Sequence, residues 1–411
     1  MNCRLSINED IHWIGVNDRE TTLFENYWPL EKGVAYNSYL INDDKIAILD
    51  TVKFNKTTEY LEKIKEIIGD RPVDYLIVNH MEPDHSGSML ALIGAYPDMK
   101  IVGNKKTFPF IEGFYGITKN YYEVGDGDLL DLGNHKLRFY LTPMVHWPET
   151  MMTFDESTGV LFSMDAFGGF GALDGGIFDD EINFDFYEDE TRRYYSNIVA
   201  KYSPMVQRSL KKLAGLKINM IAPTHGPVWR KNPGKIVELY DKWSRFEAEH
   251  GVVIVYGSMY GNTAKMADYL ARIIAENGVK NVKVFDASKT HNSYILSEIW
   301  KYKAVVIGSC AYNTKVFSSV ETVLAKLSNS GLKDRYISVF GNKSWSGGGV
   351  SGIEAFVEEI GWEKIGPSIE ATYSPKDLEF AALNALGKEI AQRLNTEYKE
   401  AFADSSFKEL I

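Results

Sequence analysis

The sequence predicts two successive α/β domains, an αββα sandwich over residues 1–250 and a doubly wound parallel sheet over residues 251–411. Before residue 250, short apolar runs are separated by turns rich in Gly, Asp and Asn, which indicates strands with a few helices between them. After residue 250, apolar strands alternate regularly with helical segments, which is the pattern of a parallel sheet covered by helices. A chain of 411 residues is also too long for one ordinary core.

In the first domain the strand-like runs are short and lie between polar turns. A charged helical stretch near residue 240 is expected to close this domain. The predicted strands include Tyr36–Leu40, Ile46–Leu49, Leu76–Val78, Ile101–Val102, Lys136–Leu141 and Val160–Phe162, and the predicted helices include Thr57–Ile68 and Lys235–Glu249.

In the second domain strand and helix patterns alternate, and this alternation implies parallel pairing. The predicted strands are Val252–Val255, Val282–Phe285, Ala304–Gly308 and Tyr336–Phe340, and the predicted helices are Thr263–Asn277, Val320–Leu327, Gly352–Ile360 and Asp377–Leu394.

Composition excludes several classes of protein. A net charge of -11 without a concentrated basic face argues against nucleic-acid binding. Residues 1–16 lack a basic segment followed by an apolar one, and no stretch reaches the roughly 18 apolar residues of a membrane span, so we expect a soluble, cytoplasmic protein without a membrane partner. Cys3 and Cys310 cannot form a four-cysteine iron site, so a rubredoxin-type electron carrier is expected to be a separate protein.

The most informative feature is the loop His80–His85, with the sequence HMEPDH, which follows the apolar run Tyr75–Val78. Two imidazoles and two carboxylates stand at its first, third, fifth and sixth positions. A lone pair of histidines would fit a polar loop, but four ligand-type side chains within six residues are poor core material and suit a metal ion. The loop therefore predicts a metal site at the end of a strand.

Three more ligand-type residues follow apolar runs, namely His146, Asp165 and His225. Taken singly, His146 or His225 fits a hydrogen-bonded core histidine better than a ligand. Together with the loop they supply seven ligands, the number expected for two metals that share one bridging carboxylate. The remaining histidines, to which the sequence assigns no role, are His12, His135, His250 and His291.

These spacings resemble those of the metallo-β-lactamase superfamily, with one departure. Zinc hydrolases of that superfamily usually carry a second histidine where this chain has Glu82, and an extra carboxylate favours iron over zinc. With the flavodoxin-like second domain, the whole chain closely resembles the flavodiiron proteins, also called A-type flavoproteins. The resemblance implies a diiron centre in which Asp165 bridges one iron held by His80, Glu82 and His146 and a second iron held by Asp84, His85 and His225.

Three loops at the carboxyl ends of predicted strands indicate an FMN site. The first precedes a helix whose positive end suits a phosphate, and the other two supply backbone and aromatic groups for a flat ring. The residues expected to contact FMN are Ser258, Met259, Tyr260, Gly261, Asn262 and Thr263 in the first loop, Cys310, Ala311, Tyr312, Asn313 and Thr314 in the second, and Ser344, Trp345, Ser346, Gly347 and Gly348 in the third.

Two of these loops depart from the family pattern. Cys310-Ala311 replaces a common Pro-Thr pair, and Lys343-Ser344 replaces an aromatic-glycine pair. If Lys343 points inward, its charge is expected to raise the potential of the flavin.

Other residues near the predicted metal loop have weaker signals. Tyr194 and Tyr195 are candidate hydrogen-bond donors to the metal pocket, although adjacent tyrosines on a helix more often serve packing. Trp147 is expected either to shield the metals or to fill the core. The segment over residues 17–39 is expected to form a lid or an interface loop, and it lacks the histidine that some relatives place there.

The resemblance implies an oxidoreductase that reduces dioxygen to water, nitric oxide to nitrous oxide, or both, with electrons from rubredoxin or from a reduced deazaflavin or flavin carrier. It also implies a head-to-tail homodimer or a dimer of dimers. Two alternatives stay open: a dizinc hydrolase fused to a flavodoxin module, against which Glu82 argues, and a non-enzymatic redox or gas sensor.

Overall fold

A computed structural model of the chain describes residues 5–404, and Cys3 lies outside the described residues. The chain divides into two compact units, Met1–Ser244 and Arg245–Ile411. The expected boundary near residue 250 falls within the first strand of the second unit, Glu249–Gly257. Across residues 5–404, no helix combines the length and the apolar character needed to cross a bilayer.

The first unit has sixteen strands and seven α-helices over its described residues, together with short 3-10 and π-helical turns. The strands are β1 (Leu5–Ser6), β2 (Ile11–Trp13), β3 (Val16–Asp18), β4 (Leu23–Phe24), β5 (Trp28–Pro29), β6 (Val34–Tyr36), β7 (Tyr39–Asn42), β8 (Ile46–Leu49), β9 (Tyr75–Ile77), β10 (Lys100–Gly103), β11 (Tyr121–Glu123), β12 (Leu129–Asp131), β13 (Lys136–Leu141), β14 (Met151–Asp155), β15 (Val160–Met164) and β16 (Met220–Pro223). The helices are α1 (Thr57–Ile68), α2 (Pro83–Ser86), α3 (Met89–Ala95), α4 (Thr107–Tyr115), α5 (Phe184–Tyr194), α6 (Ser203–Leu213) and α7 (Pro233–Ser244).

Two sheets build this unit. One has the strand order β1-β2-β7-β8-β9-β10-β11 and the other β12-β13-β14-β15-β16. A single apolar core contains side chains of both sheets, such as Ile41 and Ile77 from the first and Phe139 and Phe162 from the second. The two sheets therefore pack face to face, and the predicted sandwich is confirmed.

The predicted strand over Tyr36–Leu40 is wrong, because the chain changes sheets there. β6 pairs with β3, whereas β7 belongs to the seven-stranded sheet. Between them the Asn37 side chain donates to the carbonyl oxygens of Pro223 and Gly226, both at 2.9 Å. These hydrogen bonds replace ladder pairing. The predicted helix Lys235–Glu249 is also too long, since α7 ends at Ser244.

The second unit is a parallel sheet with helices between its strands. Its strands are β17 (Glu249–Gly257), β18 (Val282–Asp286), β19 (Tyr302–Tyr312), β20 (Lys315–Val316), β21 (Tyr336–Lys343), β22 (Glu363–Lys364) and β23 (Ile369–Thr372), and its helices are α8 (Asn262–Glu276), α9 (Asn292–Lys301), α10 (Ser318–Ser330), α11 (Gly349–Ile360) and α12 (Asp377–Asp404). The order β18-β17-β19-β21-β22, with β23 also beside β21, confirms the doubly wound flavodoxin-like sheet.

Four elements of this unit were not predicted from the sequence: α9, β20, β22 and β23. Helix α9 runs directly into β19, so neither Gly nor Pro marks its end. The sequence therefore lacks the usual sign of a helix terminus there.

Candidate metal and flavin sites

The seven predicted ligands lie in two adjacent groups within the first unit. Within each group, the potential ligand atoms lie within 4.8 Å of one another. The first group contains His80, Glu82, His146 and Asp165, and the second contains Asp84, His85 and His225.

Each ligand lies just beyond the end of a strand. The loop His80–His85 follows β9, and Asp50 at the end of β8 holds its start, because one carboxylate oxygen accepts from the backbone N–H groups of Asn79 and His80 at 2.8 and 3.2 Å. Pro83 then begins the single turn α2, which carries two ligands. The other three ligands follow β13, β15 and β16, so both sheets contribute to one site.

Asp165 lies between the two groups. One of its carboxylate oxygens is 2.8 Å from Nε2 of His85, and the other is 3.0 Å from Nε2 of His146. His80 and His225 also lie within reach, at 3.4 and 3.5 Å. A carboxylate surrounded by four imidazole nitrogens is suited to bridge two cations.

The geometry of these side chains fits metal ions better than hydrogen bonding alone. Nε2 of His85, Nε2 of His225 and both carboxylate oxygens of Asp84 are buried and have no partner in hydrogen-bonding geometry among residues 5–404, although Nε2 of His85 lies 2.8 Å from Asp165. Two ligand atoms that each lie about 2.1 Å from one ion, at right angles, are about 3 Å apart, which is the spacing seen around Asp165. Buried polar atoms of a folded protein are normally paired with protein, water or an ion, so these residues fit a binuclear metal centre.

The ligand imidazoles have different partners on their outer nitrogens. Nδ1 of His80 donates to Oε1 of Glu149 at 2.9 Å, and Nδ1 of His225 donates to the backbone oxygen of Ala35 at 2.8 Å. Nδ1 of His85 is buried without a partner among residues 5–404. Glu149 was not predicted from the sequence. The one feature of the sequence that could have pointed to Glu149 is that it lies three residues after His146.

The carboxylates of the site favour protonation of its histidines in the metal-free protein. Burial opposes the charge on His85, but the carboxylates of Asp84 and Asp165 outweigh it and raise the pKa to about 9. For His146, burial is likewise outweighed by hydrogen bonds to Asp165 and Glu82, and the pKa rises to about 9. A metal ion entering the site must therefore displace protons.

A cavity of about 770 Å³ leads to the site. It is lined by residues 20–26 and 53–55 with Tyr36, Glu82 and Asp84. The predicted lid segment thus forms one wall of the cavity, partly as the hairpin β4–β5. Burial, followed by the charge of Glu82, raises the pKa of Glu25 in this wall to about 7.

The two adjacent tyrosines have different environments. The ring of Tyr194 lies 5.3 Å from that of His225, and its hydroxyl is buried without a partner among the described residues. Burial and then the charge of Asp165 raise its pKa well above the usual value. Tyr195 instead points away from the ligands, and its hydroxyl bonds to Ser203 at 2.9 Å.

Trp147 shields one side of the ligands. Its ring contacts that of His80 edge to face at 5.2 Å, and Phe110 packs behind it at 5.6 Å. Trp147 remains only partly buried, so it belongs to the wall of the site rather than to the central core.

The three predicted flavin loops lie at the carboxyl ends of β17, β19 and β21, which are neighbours in the sheet. Gly261, with φ of +87°, is the N-cap of α8, and Gly348, with φ of +118°, precedes α11. A Cβ at Gly348 would lie 2.0 Å from the backbone oxygen of Thr314, so the second and third loops touch. Such a cradle of backbone at a helix N-terminus fits a phosphate and a flat ring.

The side chains of these loops differ in exposure. Trp345 and Tyr260 are 93% and 90% exposed, whereas Thr263 is buried and donates its hydroxyl to Asn342 at 2.9 Å. Among the other predicted contacts, Cys310 is buried, the residues of intermediate exposure are Ser258, Gly261, Asn262, Ala311, Gly347 and Gly348, and the exposed ones are Met259, Tyr312, Asn313, Thr314, Ser344 and Ser346.

The ammonium of Lys343 lies 2.5 Å from Glu370. The paired carboxylate opposes the charge of this lysine. An effect of Lys343 on the flavin potential stays a prediction.

Comparison with known proteins agrees with this architecture. A family model for the ODP family beta lactamase matches residues 34–226, and a flavodoxin model matches residues 254–385. The chain is 34% identical to an anaerobic nitric oxide reductase flavorubredoxin of Escherichia coli, over 94% of this chain and 82% of that protein.

Solved structures give the same result. The rubredoxin oxygen:oxidoreductase of the anaerobe Desulfovibrio gigas superposes with a TM-score of 0.92 at 29% identity, over 96% of this chain and 99% of that one. The flavodiiron protein of Giardia intestinalis shares the fold, with a TM-score of 0.92 at 24% identity and coverage of 97% and 98%.

The fold and the site define a flavoprotein with a metallo-β-lactamase-like unit and a candidate binuclear metal centre. The chain belongs to the flavodiiron protein family. It is an oxidoreductase, and its cofactors are FMN and a diiron centre.

Proposed function

We propose that this protein reduces dioxygen to water, nitric oxide to nitrous oxide, or both, at a diiron centre held by the two ligand groups around Asp165. The observation that carries the proposal is the joint position of Asp165, within 3.5 Å of four imidazole nitrogens. When bound, two irons and one FMN supply four electrons, which is the number that dioxygen reduction to water requires, and the metals act as Lewis acids.

The residues proposed for the two metal positions are matched in type. His80, Glu82 and His146 would hold one iron, while Asp84, His85 and His225 would hold the other. Glu82 makes the set richer in oxygen than that of a dizinc hydrolase, which favours iron.

Other side chains would bind and enclose the gas. The cavity beside Glu82 and Asp84 provides access. The Tyr194 hydroxyl, buried without a partner among the described residues, can donate to a bound oxygen atom. Phe24 packs against the ring of His225 at 5.4 Å, and Trp147 covers His80 from the other side, so both exclude water from the ligands.

A rubredoxin-type carrier is the electron donor that we propose, because one structural relative is a rubredoxin oxygen:oxidoreductase. A reduced deazaflavin or flavin carrier is the other donor to be tried. A head-to-tail homodimer or a dimer of dimers is proposed as the assembly, since each unit exposes large apolar side chains near its site, such as Phe54 at 76% and Trp345 at 93%. Light scattering tests the assembly, and cell fractionation tests the predicted cytoplasmic location.

The first experiment measures the metal and flavin content of the purified protein. Anaerobic reduction and separate stopped-flow mixing with dioxygen and with nitric oxide then follow. About two irons and one FMN per chain, with rapid reoxidation by either gas, are expected. Zinc in place of iron, and reoxidation no faster than that of free flavin, would contradict the proposal in favour of the hydrolase.

A variant test uses His85→Ala with His250→Ala as its matched control. His250 lies in the second unit, where its ring bonds to Asn395 at 3.0 Å. The first variant is expected to lose gas reduction and keep its flavin, whereas the control keeps both. Full turnover by His85→Ala would contradict the proposed diiron site.

A further inference from the structure

The buried carboxylate of Glu149 lies immediately behind one ligand imidazole. Its Oε1 accepts from Nδ1 of His80 and from the backbone N–H of Met81, both at 2.9 Å. The backbone oxygen of Glu149 also accepts from the amide of Asn104 at 2.6 Å. The side chains of His80 and Glu149 are both fully buried. The carboxylate is therefore fixed in place on both its side chain and its backbone.

The hydrogen bond determines which nitrogen of His80 faces the metal site. A carboxylate can only accept, so Nδ1 carries the proton and Nε2 is directed towards the site, 3.3 Å from Glu82. Oε1 of Glu149 accepts two N–H hydrogen bonds, an arrangement that favours the ionised form of a carboxylate. An imidazole backed by an ionised carboxylate is a more basic ligand than one backed by a carbonyl.

The two metal positions otherwise have the same inventory. Each has two histidines, one terminal carboxylate and a share of Asp165. At the second position, His225 is backed by a neutral backbone oxygen, and Nδ1 of His85 has no partner among the described residues. The two proposed metal positions thus have equal sets of ligands, and the carboxylate of Glu149 adds a negative charge behind only one of them.

We propose that Glu149 is a positioning residue that makes the position of His80, Glu82 and His146 the tighter of the two metal positions and the one that more strongly favours ferric iron. This inference rests on the proposed function, because it needs a metal centre at these residues. The added negative charge and the more basic imidazole both stabilise the higher oxidation state.

The test compares Glu149→Gln in two backgrounds that each retain one complete position. His225→Ala retains the His80 position, and His146→Ala retains the other. Zinc affinity is measured by competition with a chromophoric chelator. Glu149→Gln is expected to weaken zinc binding about 10–100-fold in the His225→Ala background and to leave it unchanged in the His146→Ala background.

The native iron protein gives a second readout. In an anaerobic redox titration followed by electron paramagnetic resonance, Glu149→Gln is expected to raise the reduction potential of one iron and leave that of the other near its original value. Equal effects in the two backgrounds, or no effect in either, would overturn the proposal. Failure of the parent protein to bind two metals would instead contradict the proposed function.

Two further variants separate positioning from folding. Thr153→Val removes a buried hydrogen bond to Asn79 at 2.7 Å in the same region. Any change that it causes in zinc affinity should be equal in the His225→Ala and His146→Ala backgrounds. Glu149→Asp keeps the charge but stretches the contact, and it should recover part of the lost affinity. If Glu149→Gln does not fold, Glu149→Asp in the two backgrounds should still show a smaller loss confined to the His80 position, and uniform or absent loss overturns the proposal.

Discussion

Replacing Tyr194 with phenylalanine should separate stability from activity. Its hydroxyl is buried without a partner among the described residues, while its ring packs against Phe170 at 5.0 Å and His225 at 5.3 Å. A hydroxyl buried without a partner costs about 1–3 kcal/mol. Tyr194→Phe keeps the ring contacts and removes this cost, so the free energy of unfolding of the metal-free protein should rise by about 1 kcal/mol.

The same change should impair catalysis. If the hydroxyl donates one hydrogen bond to the bound gas during reduction, its loss should lower turnover about tenfold, which corresponds to about 1.4 kcal/mol. Urea unfolding followed by tryptophan fluorescence measures the first effect, and consumption of dioxygen and of nitric oxide measures the second. Tyr195→Phe is the matched control, because its hydroxyl bonds to Ser203 and lies away from the ligands.

The control should lose about 1 kcal/mol of stability and keep its turnover. The reasoning is refuted if both variants lose stability to the same extent, since the Tyr194 hydroxyl would then have a partner in the protein. It is also refuted if Tyr194→Phe reduces both gases at the original rate.

Three other changes test separate parts of the structure. Nδ1 of His135 lies 2.7 Å from a carboxylate oxygen of the buried Asp155, and this hydrogen bond raises the pKa of His135. Burial opposes ionisation of Asp155, but the hydrogen bond to His135 outweighs it and lowers the pKa of Asp155. The protonated His135 therefore contributes its full stabilisation below its unfolded pKa of about 6.5, and this contribution is lost as the pH rises through its raised pKa in the folded protein. The ionised Asp155 contributes stabilisation that is lost as the pH falls below about 4. His135→Gln should thus cost about 3 kcal/mol in urea unfolding near pH 5.5 and clearly less near pH 9, and a cost that grows with pH would contradict this. Gly348→Ala places a Cβ 2.0 Å from a carbonyl of the neighbouring loop, so purified protein should lose most of its FMN while Gly361→Ala, whose Cβ meets nothing, retains it. Because the pKa values of His85 and His146 are about 9, metal loading of the metal-free protein near pH 7 should release at least two protons, counted with a pH indicator in weak buffer, and release of fewer than one would show that the site is not protonated.

Much of the metal site was accessible from sequence because its ligands follow strand ends. Four ligand-type residues within six positions, and three more beyond later apolar runs, are the residues that the structure brings together in the two groups. The carboxyl ends of β13, β15 and β16 lie on one edge of their sheet, which places three of the predicted ligands together. The His80 loop extends from the other sheet, so its position beside them was predicted only by the family resemblance. The fold classes of both units followed from the same strand and helix patterns.

The partners behind the ligands could not be predicted in this way. Glu149 and Asp50 reach the loop of His80 across the fold, over 69 and 30 positions of sequence respectively. A single acidic residue gives no pattern of its own, and its role depends on which strand lies beside it. The break at Asn37 was missed for the same reason, since its hydrogen bonds go to residues 186 and 189 positions away.

The proposed ligands come from both sheets of the first unit, so bound metal ions would link the two sheets. The His80 loop extends from one sheet, whereas His146, Asp165 and His225 extend from the other. Metal ions bound there would hold the two sheets together at one edge. Each ion would stabilise the folded state by an amount that grows with the logarithm of the free metal concentration. We therefore expect the metal-loaded protein to resist proteolysis longer than the metal-free protein.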